Sequence, residues 1–292
     1  MSRRDLRERG DDASVAFDKP AKKGLGQHFL HERGVIDKML LAIDPKPGER
    51  FVEIGPGQGA LTFPLLDRHG ALTAIEFDRD LLEPLRAAAT AHGALTLIHA
   101  DVMDVDFGAL AAGEAFRLVG NLPYNLSSPI LFHALAYAAS IRDMHFMLQK
   151  EVVDRMAAPP GSKVYGRLSV MLQAYCDVTA LFKVPPGAFR PPPKVDSAVV
   201  RLVPKAPTRI GIDDPARFEA VVRAAFGQRR KTLRNALSGV CDAEIIAAAG
   251  IDPQDRAERL AVADFVRLAN VSAQSSAQSS AHASATDATP IR

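Results

Sequence analysis

Apolar positions along the chain fall into short runs of two kinds, and the two kinds alternate. Val35 to Ala42 has helical spacing and is stopped by Asp44-Pro45, whereas Arg50 to Ile54 reads as a strand ending at Gly55. Ala60 to Arg68 is helical again, Ala71 to Glu76 is a second strand, and Asp80 to Ala91 a helix. Leu95 to His99 and Phe116 to Gly120 are a third and a fourth strand. Helices are expected around 127–139 and 150–157, with further strands at Met144 to Leu148 and Ser197 to Val203. This alternation indicates an α/β architecture, a mostly parallel sheet with helices on both faces. Pro204 to Thr208 reads as a linker, and from about 213 to 270 only helical periodicity remains. The pattern therefore predicts a sheet domain over 21–207 and a small all-helical domain over 208–270. Residues 1–20 are polar, and 271–292 are rich in Ser, Ala and Gln, so both ends are expected to be disordered tails.

Composition narrows the function classes only a little. With 292 residues, 47% apolar and 24% charged, the chain resembles an ordinary globular protein with ample core. A net charge of +2 does not by itself argue for nucleic acid, so the distribution of charge matters more. Cys176 and Cys241 make no disulfide framework, and no Cys/His cluster has zinc spacing, so no metal is expected. The first dozen residues are charged and carry no apolar stretch of the secretion-signal type. No run approaches the roughly 18–20 apolar residues of a membrane span. A cytoplasmic protein, taken as a monomer for want of a dimerisation stripe, is the expectation.

The chemistry concentrates in Asn121-Leu122-Pro123-Tyr124, just after the fourth strand. Asparagine offers a neutral carbonyl acceptor to an N–H, and proline fixes its own φ and so the direction of neighbouring carbonyls. Tyrosine adds a flat face on which an unstacked nucleobase can rest. Together they suit holding an exocyclic amine in line with a methyl donor. A turn at a strand end is the plain alternative, since Asn and Pro are common there.

Between the first strand and the next helix lies Glu53-Ile54-Gly55-Pro56-Gly57-Gln58-Gly59-Ala60. Its Gly55-x-Gly57-x-x-Ala60 spacing satisfies a relaxed dinucleotide fingerprint, which keeps a nicotinamide enzyme in play. Glu53 shifts the balance toward S-adenosylmethionine, because a carboxylate there attracts the methionyl ammonium and repels a pyrophosphate. Glu76, ending the second strand, is placed for two ribose hydroxyls, and Asp101, after the third, for an adenine amine. A capping or solvated role is the ordinary reading of any one such acid. Three at successive strand ends beside one loop are less ordinary.

These motifs together resemble a class I, Rossmann-like S-adenosylmethionine-dependent methyltransferase. Three further segments make the resemblance closer: Lys22-Lys23-Gly24-Leu25-Gly26-Gln27-His28-Phe29-Leu30, Val184 to Ser197 with its Phe189-Arg190-Pro191-Pro192-Pro193, and Phe226-Gly227-Gln228-Arg229-Arg230-Lys231-Thr232-Leu233-Arg234-Asn235. From about Lys22 to Leu268 the chain is similar to the ribosomal RNA adenine dimethyltransferases, in particular those acting on two adjacent adenosines near the 3′ end of 16S rRNA in the immature small subunit. The resemblance implies cofactor contacts at His28, Leu30, Gly55, Glu76, Asp101 and Asn121, with His28 at a position often held by Asn; Gln27, Glu53 and Gly57 are expected to join them. It implies catalysis at Asn121, Leu122, Pro123 and Tyr124, with the flipped adenine stacked between Tyr124 and Phe189. Arg223, Arg229, Arg230, Lys231 and Arg234, joined by Lys22 and Lys23, are the expected RNA-binding residues. Such a basic run is otherwise simply a solvated face. The competing readings are a 23S rRNA methylase, a DNA adenine methylase, and an assembly factor whose binding role outweighs catalysis.

Overall fold

The computed structural model describes residues 19–228 and 230–286, with the backbone alone at 23 and 276–286. The described residues form two compact units: 19–153 with Asp177–Pro204, and Asp154–Cys176 with 205–286.

The first unit is built on a seven-stranded sheet. Its strands are β1 (Phe51–Ile54), β2 (Ala71–Glu76), β3 (Ala94–His99), β4 (Phe116–Asn121), β5 (Ile141–Gln149), β6 (Cys176–Val184) and β7 (Ser197–Pro204). They lie in the order 3-2-1-4-5-7-6. Strands β3, β2, β1, β4 and β5 pair in parallel, and β7 pairs antiparallel with β5. All four residues of β1 are buried, as a central parallel strand covered on both faces requires. The order reverses between β1 and β4, and in open sheets the crevice at such a switch point is where ligands bind.

Helices α1 (Arg33–Ile43), α2 (Thr62–His69), α3 (Arg79–Ala89), α4 (Phe107–Ala111) and α5 (Ser127–Ala136) join or precede these strands, and α6 (Lys150–Met156) follows β5. In α1 the buried Val35, Ile36, Met39, Leu40 and Ile43 make one apolar stripe. Glu32 caps its start by accepting from two backbone N–H groups, and Asp44 ends it in the left-handed conformation before Pro45. A two-residue strand pair, Phe29–Leu30 against Phe189–Arg190, completes the unit.

The second unit contains α7 (Arg167–Tyr175), α8 (Pro207–Ile210), α9 (Pro215–Gly227), α10 (Leu233–Ala236), α11 (Ala243–Ala248) and α12 (Val262–Thr286). It differs from the helical domain expected from the sequence at both ends. Residues 154–176 belong to it, because α7 packs on α9 and α12. That segment carries ordinary helical periodicity, so its partner is invisible in the pattern. At the other end α12 runs through to Thr286, well into the Ser/Ala/Gln-rich stretch expected to be disordered. Ser272 is buried there, with its hydroxyl hydrogen-bonded to the Arg217 guanidinium, and the alanines favour helix. The expected tail over 1–20 falls almost wholly outside the described residues.

Away from the switch point, Arg117 near the start of β4 organises the other end of the sheet. Its guanidinium bonds both Asp143 oxygens at 2.9 Å, Glu49 at 2.7 Å and the Ile43 carbonyl at 2.6 Å. It also stands over the Phe51 ring. Burial raises the Asp143 pKa, but His145 and Arg117 prevail and hold it at about 2. Arg117 is the partner at hydrogen-bond distance, since His145 Nδ1 stands 3.6 Å away. Arg117→Ala removes the buried cation that Asp143 and Glu49 share, Glu49 keeping as its cation only the exposed Arg142 at 2.8 Å, and is expected to cost about 3–5 kcal/mol of unfolding free energy. Urea denaturation measures it. Because the Asp143 pKa is depressed, its stabilising contribution is present above about pH 4 and disappears as pH falls through about 2.

Candidate active site

At the switch point the carboxyl ends of β1, β2 and β4 surround a cavity of about 350 Å³. Every residue expected from the sequence at the cofactor or the reacting base lines it, Phe189 excepted. Glu53, in β1, is 2% exposed and accepts a 2.7 Å hydrogen bond from Thr62 Oγ1. Desolvation pushes its pKa up to about 8, with Glu76 adding to the rise and Thr62 opposing it. Glu76 is also buried, and its oxygens accept from the N–H groups of Asp78 (2.7 Å) and Gly57 (3.3 Å). Burial raises its pKa against the pull of those bonds. Asp101 caps a short 3-10 turn through the Met103 N–H, so one carboxylate oxygen does the local work anticipated for a strand-end acid. Its side chain still lines the cavity.

Gly57 is positioned by two constraints at once. Its φ is +56°, and a β-carbon there would stand 3.0 Å from the Phe29 ring. Only glycine meets both without strain, so the loop can pass under the segment that carries Gln27 and His28.

The Asn121–Tyr124 segment is held from several sides. Asn121 Nδ2 donates to the His28 carbonyl at 2.9 Å, which leaves the side-chain oxygen available as an acceptor. The Leu122 N–H donates to the Met147 carbonyl, while the Pro123 carbonyl already accepts from the Leu126 N–H and Ser127 Oγ. The Tyr124 hydroxyl and Ser197 Oγ share a 2.6 Å hydrogen bond, and burial moves the phenol pKa upward. The His28 ring lies on Tyr124, with centroids 5.5 Å apart and planes 26° apart.

The sequence comparisons agree with this geometry. The family model for "Ribosomal RNA adenine dimethylase" matches residues 19–274. The chain belongs to the ribosomal RNA adenine dimethylase family. It is 71% identical over 256 residues, 88% of its own length and 98% of the relative's, to "Ribosomal RNA small subunit methyltransferase A" of Xanthomonas oryzae pv. oryzae (strain PXO99A). The protein of the same name from Xanthomonas euvesicatoria pv. vesicatoria (strain 85-10) is 70% identical over the same shares. Among solved structures, a dimethyladenosine transferase from Plasmodium falciparum superposes with a TM-score of 0.72 at 25% identity, covering 82% of this chain and 96% of that one. The 23S rRNA methyltransferase ErmE gives 0.67 at 26% identity, covering 84% and 100%. The sheet unit is thus a class I methyltransferase fold, and this dimethylase-family chain is an rRNA-modifying enzyme.

Within this family member, two expectations need correction. Phe189 does not line the cavity: it is 1% exposed, and its backbone pairs with Leu30 in the small strand pair. Its ring belongs to the apolar core with Phe29 and Leu30. Lys22 is not an unpaired cation for RNA. Its ammonium bonds Asp78 at 2.6 Å and Asp80 at 2.7 Å, while Gln27 donates to Asp78. Burial alone would raise the Asp78 pKa, yet Lys22 and Gln27 hold it below the usual carboxylate range. In the helical unit Arg223, Arg230, Lys231 and Arg234 are all exposed, and none forms an ion pair with a described residue. The side chain of Lys23 and all of Arg229 lie outside the described residues.

Three contributors escaped notice in the sequence. Phe77 is 57% exposed yet lines the cavity, directly after Glu76; an apolar residue just past a strand-end acid is a usable signal. Ser197 holds Tyr124 from the far end of the proline-rich motif, a pairing that no spacing reveals. Gly120 lets β4 approach β1, and an isolated glycine in an apolar strand is itself a signal of close backbone approach.

The raised pKa of Glu53 has a measurable consequence. The folded state binds this proton more tightly than the unfolded state does, so the stability linked to it is full below about pH 4.5 and is lost as pH rises through about 8. Melting temperatures of the ligand-free protein should fall across that window. Glu53→Gln should flatten the profile, and an equally steep profile in the variant would locate the effect elsewhere.

Proposed function

We propose that this chain transfers methyl groups from S-adenosylmethionine to N6 of two adjacent adenosines near the 3′ end of 16S rRNA, acting as a monomer in the cytoplasm on the immature small subunit. The observation that carries the reading is the tethered Asn121 amide. With Nδ2 tied to the His28 carbonyl, a neutral oxygen acceptor is fixed in the same cavity as the buried Glu53. The identity of about 70% with proteins named for the small subunit favours that substrate over the 23S reading.

The cavity suits the donor in its distribution of charge. Glu53 is a buried acid with no cation beside it among the described residues, and an amino-acid ammonium brought against it would favour its ionised form. Glu76 is the acceptor for ribose hydroxyls, Asp101 for the adenine amine, and Phe77 an apolar face for the adenine ring. Gln27, Leu30, Gly55 and Gly57 shape the walls around it. When bound, S-adenosylmethionine supplies an electrophilic methyl group on a sulfonium sulfur.

At the other end of the cavity the chain holds the target amine. Asn121 Oδ1 and the Leu122 carbonyl accept its two N–H groups, since the Pro123 carbonyl is occupied by the start of α5. Both acceptors are neutral and weakly basic, so these residues act by placement and preorganised dipoles. A neutral acceptor also tolerates the once-methylated amine, which permits a second transfer. Tyr124, its hydroxyl anchored on Ser197, presents a ring for the base. The exposed cluster of Arg223, Arg230, Lys231 and Arg234 neutralises rRNA phosphates.

Purified small subunits lacking the modification, incubated with labelled donor, should yield N6,N6-dimethyladenosine at two adjacent positions near the rRNA 3′ end. Mass spectrometry of the digested rRNA identifies the nucleoside. Asn121→Ala should lower kcat by about 10²–10³ while subunits still bind. Donor binding without product on these subunits, but with product on large-subunit RNA, would return the 23S reading. Arg230→Ala with Arg234→Ala should weaken subunit binding and flatten its dependence on salt. An unchanged salt slope would remove these residues from the phosphate contacts.

A further inference from the structure

The stretch of cavity wall from Gly24 to His28 is held at its two ends by different means. Downstream, Phe29 and Leu30 pair with Arg190 and Phe189, and the His31 N–H donates to the Ala188 carbonyl at 3.0 Å. Upstream, the holding groups converge on Asp78, which is 4% exposed and does not itself line the cavity. One of its carboxylate oxygens accepts from Lys22 Nζ at 2.6 Å and from the Asp80 N–H at 3.1 Å, and the other accepts from Gln27 Nε2 at 2.9 Å. Lys22 Nζ also reaches Asp80 at 2.7 Å, and the Lys22 N–H donates to Gln27 Oε1 at 2.7 Å. We propose that Asp78 is a positioning residue for the methyl donor: through Lys22 and Gln27 it fixes the Gly24–Gln27 wall against the strand end that carries Glu76. The inference rests on the reading above that the donor occupies this cavity.

The fastening matters because the wall has little packing of its own. Gly24 and Gly26 bring no side chains to it, so its place is set from its ends. The Asp78 main-chain N–H donates to Glu76 Oε1 at 2.7 Å, so one residue sets both the wall and the Glu76 carboxylate. A wall in place only about a tenth of the time raises the apparent donor Kd about tenfold. The target amine is insulated from this loosening. The His28 carbonyl that tethers Asn121 adjoins the strand pair, and the His28 ring is tied to the Pro191 carbonyl at 2.7 Å. Release of the Asp78 clasp therefore reaches donor binding and leaves the Asn121 acceptor in place.

The test is calorimetry of S-adenosylmethionine binding to Lys22→Met, Lys22→Arg, Asp78→Asn and the Lys22→Met/Asp78→Asn double variant, beside steady-state methylation of unmodified small subunits. The main-chain bond from Asp78 to Glu76 remains in every variant. Asp78 also caps α3, so Asp78→Asn carries a risk to folding that melting temperatures reveal; Lys22 is 45% exposed, and Lys22→Met decides the question in that event. Donor Kd should rise about tenfold in Lys22→Met and in Asp78→Asn, with kcat at saturating donor within about twofold of wild type. Lys22→Arg keeps the ion pair and should bind donor within about threefold of wild type. Both single changes remove one contact, so the double variant should bind no more than about twofold more weakly than either. Donor affinity unchanged in Lys22→Met, or losses that multiply in the double variant, would overturn the proposal. A flattened salt dependence of subunit binding in Lys22→Met, with donor affinity intact, would overturn it in favour of an RNA contact. Wild-type protein that binds no donor would bring down the functional reading itself, a result distinct from wild type that binds it and variants that are indifferent.

Discussion

Strand β4 lies so close to β1 at Gly120 that a β-carbon there would stand 2.5 Å from the Ile54 carbonyl oxygen. That approach sets the parallel register in which Glu53 pairs with Val119 and Ile54 with Gly120. The ends of the two strands then open into one crevice, with the acid of one and the asparagine of the other facing a shared space. Glu53 and the Asn121–Tyr124 segment line one cavity for this reason. A side chain at 120 would separate the strands and move Asn121 away from the carbonyl that fixes its amide.

Charge is arranged differently at the two ends of the sheet. Around Arg117 the buried carboxylates have their cation, and Asp143 is held at about 2. At the cavity Glu53 has only a threonine hydroxyl, and its pKa moves up to about 8. The first arrangement is stable as it stands. The second keeps its proton to higher pH instead, as a buried acid with no cation beside it does. The Lys22 ammonium is held by Asp78 and Asp80. These contacts fasten the segment leading to Gln27 and His28, both of which line the cavity.

Much of this was legible in the residues. The alternation of strand and helix runs, the glycine loop after Arg50 to Ile54, and the acids at successive strand ends are local signals, because strand and helix periods and strand-end positions are properties of neighbouring residues. Asn121 to Tyr124 was equally plain, since its four residues are consecutive in the chain. What depended on distant partners was not legible. Phe189 looked like a loop aromatic within a run of prolines, and only its pairing with Leu30 put it in the core. Lys22 looked like part of a basic patch until Asp78 and Asp80, more than fifty residues away, took its charge.

The sequence by itself determined the class of sheet, the strand ends at which the cavity residues lie, and the chemical types of side chain there. The tertiary structure alone decided which of those groups remain available. The Asn121 nitrogen is taken by the His28 carbonyl, the Pro123 carbonyl by the Leu126 N–H and Ser127 Oγ, and the Tyr124 ring is covered by a histidine rather than a phenylalanine. Hydrogen-bonding capacity is a property of the residue, but whether it is already satisfied depends on partners that folding brings from elsewhere in the chain.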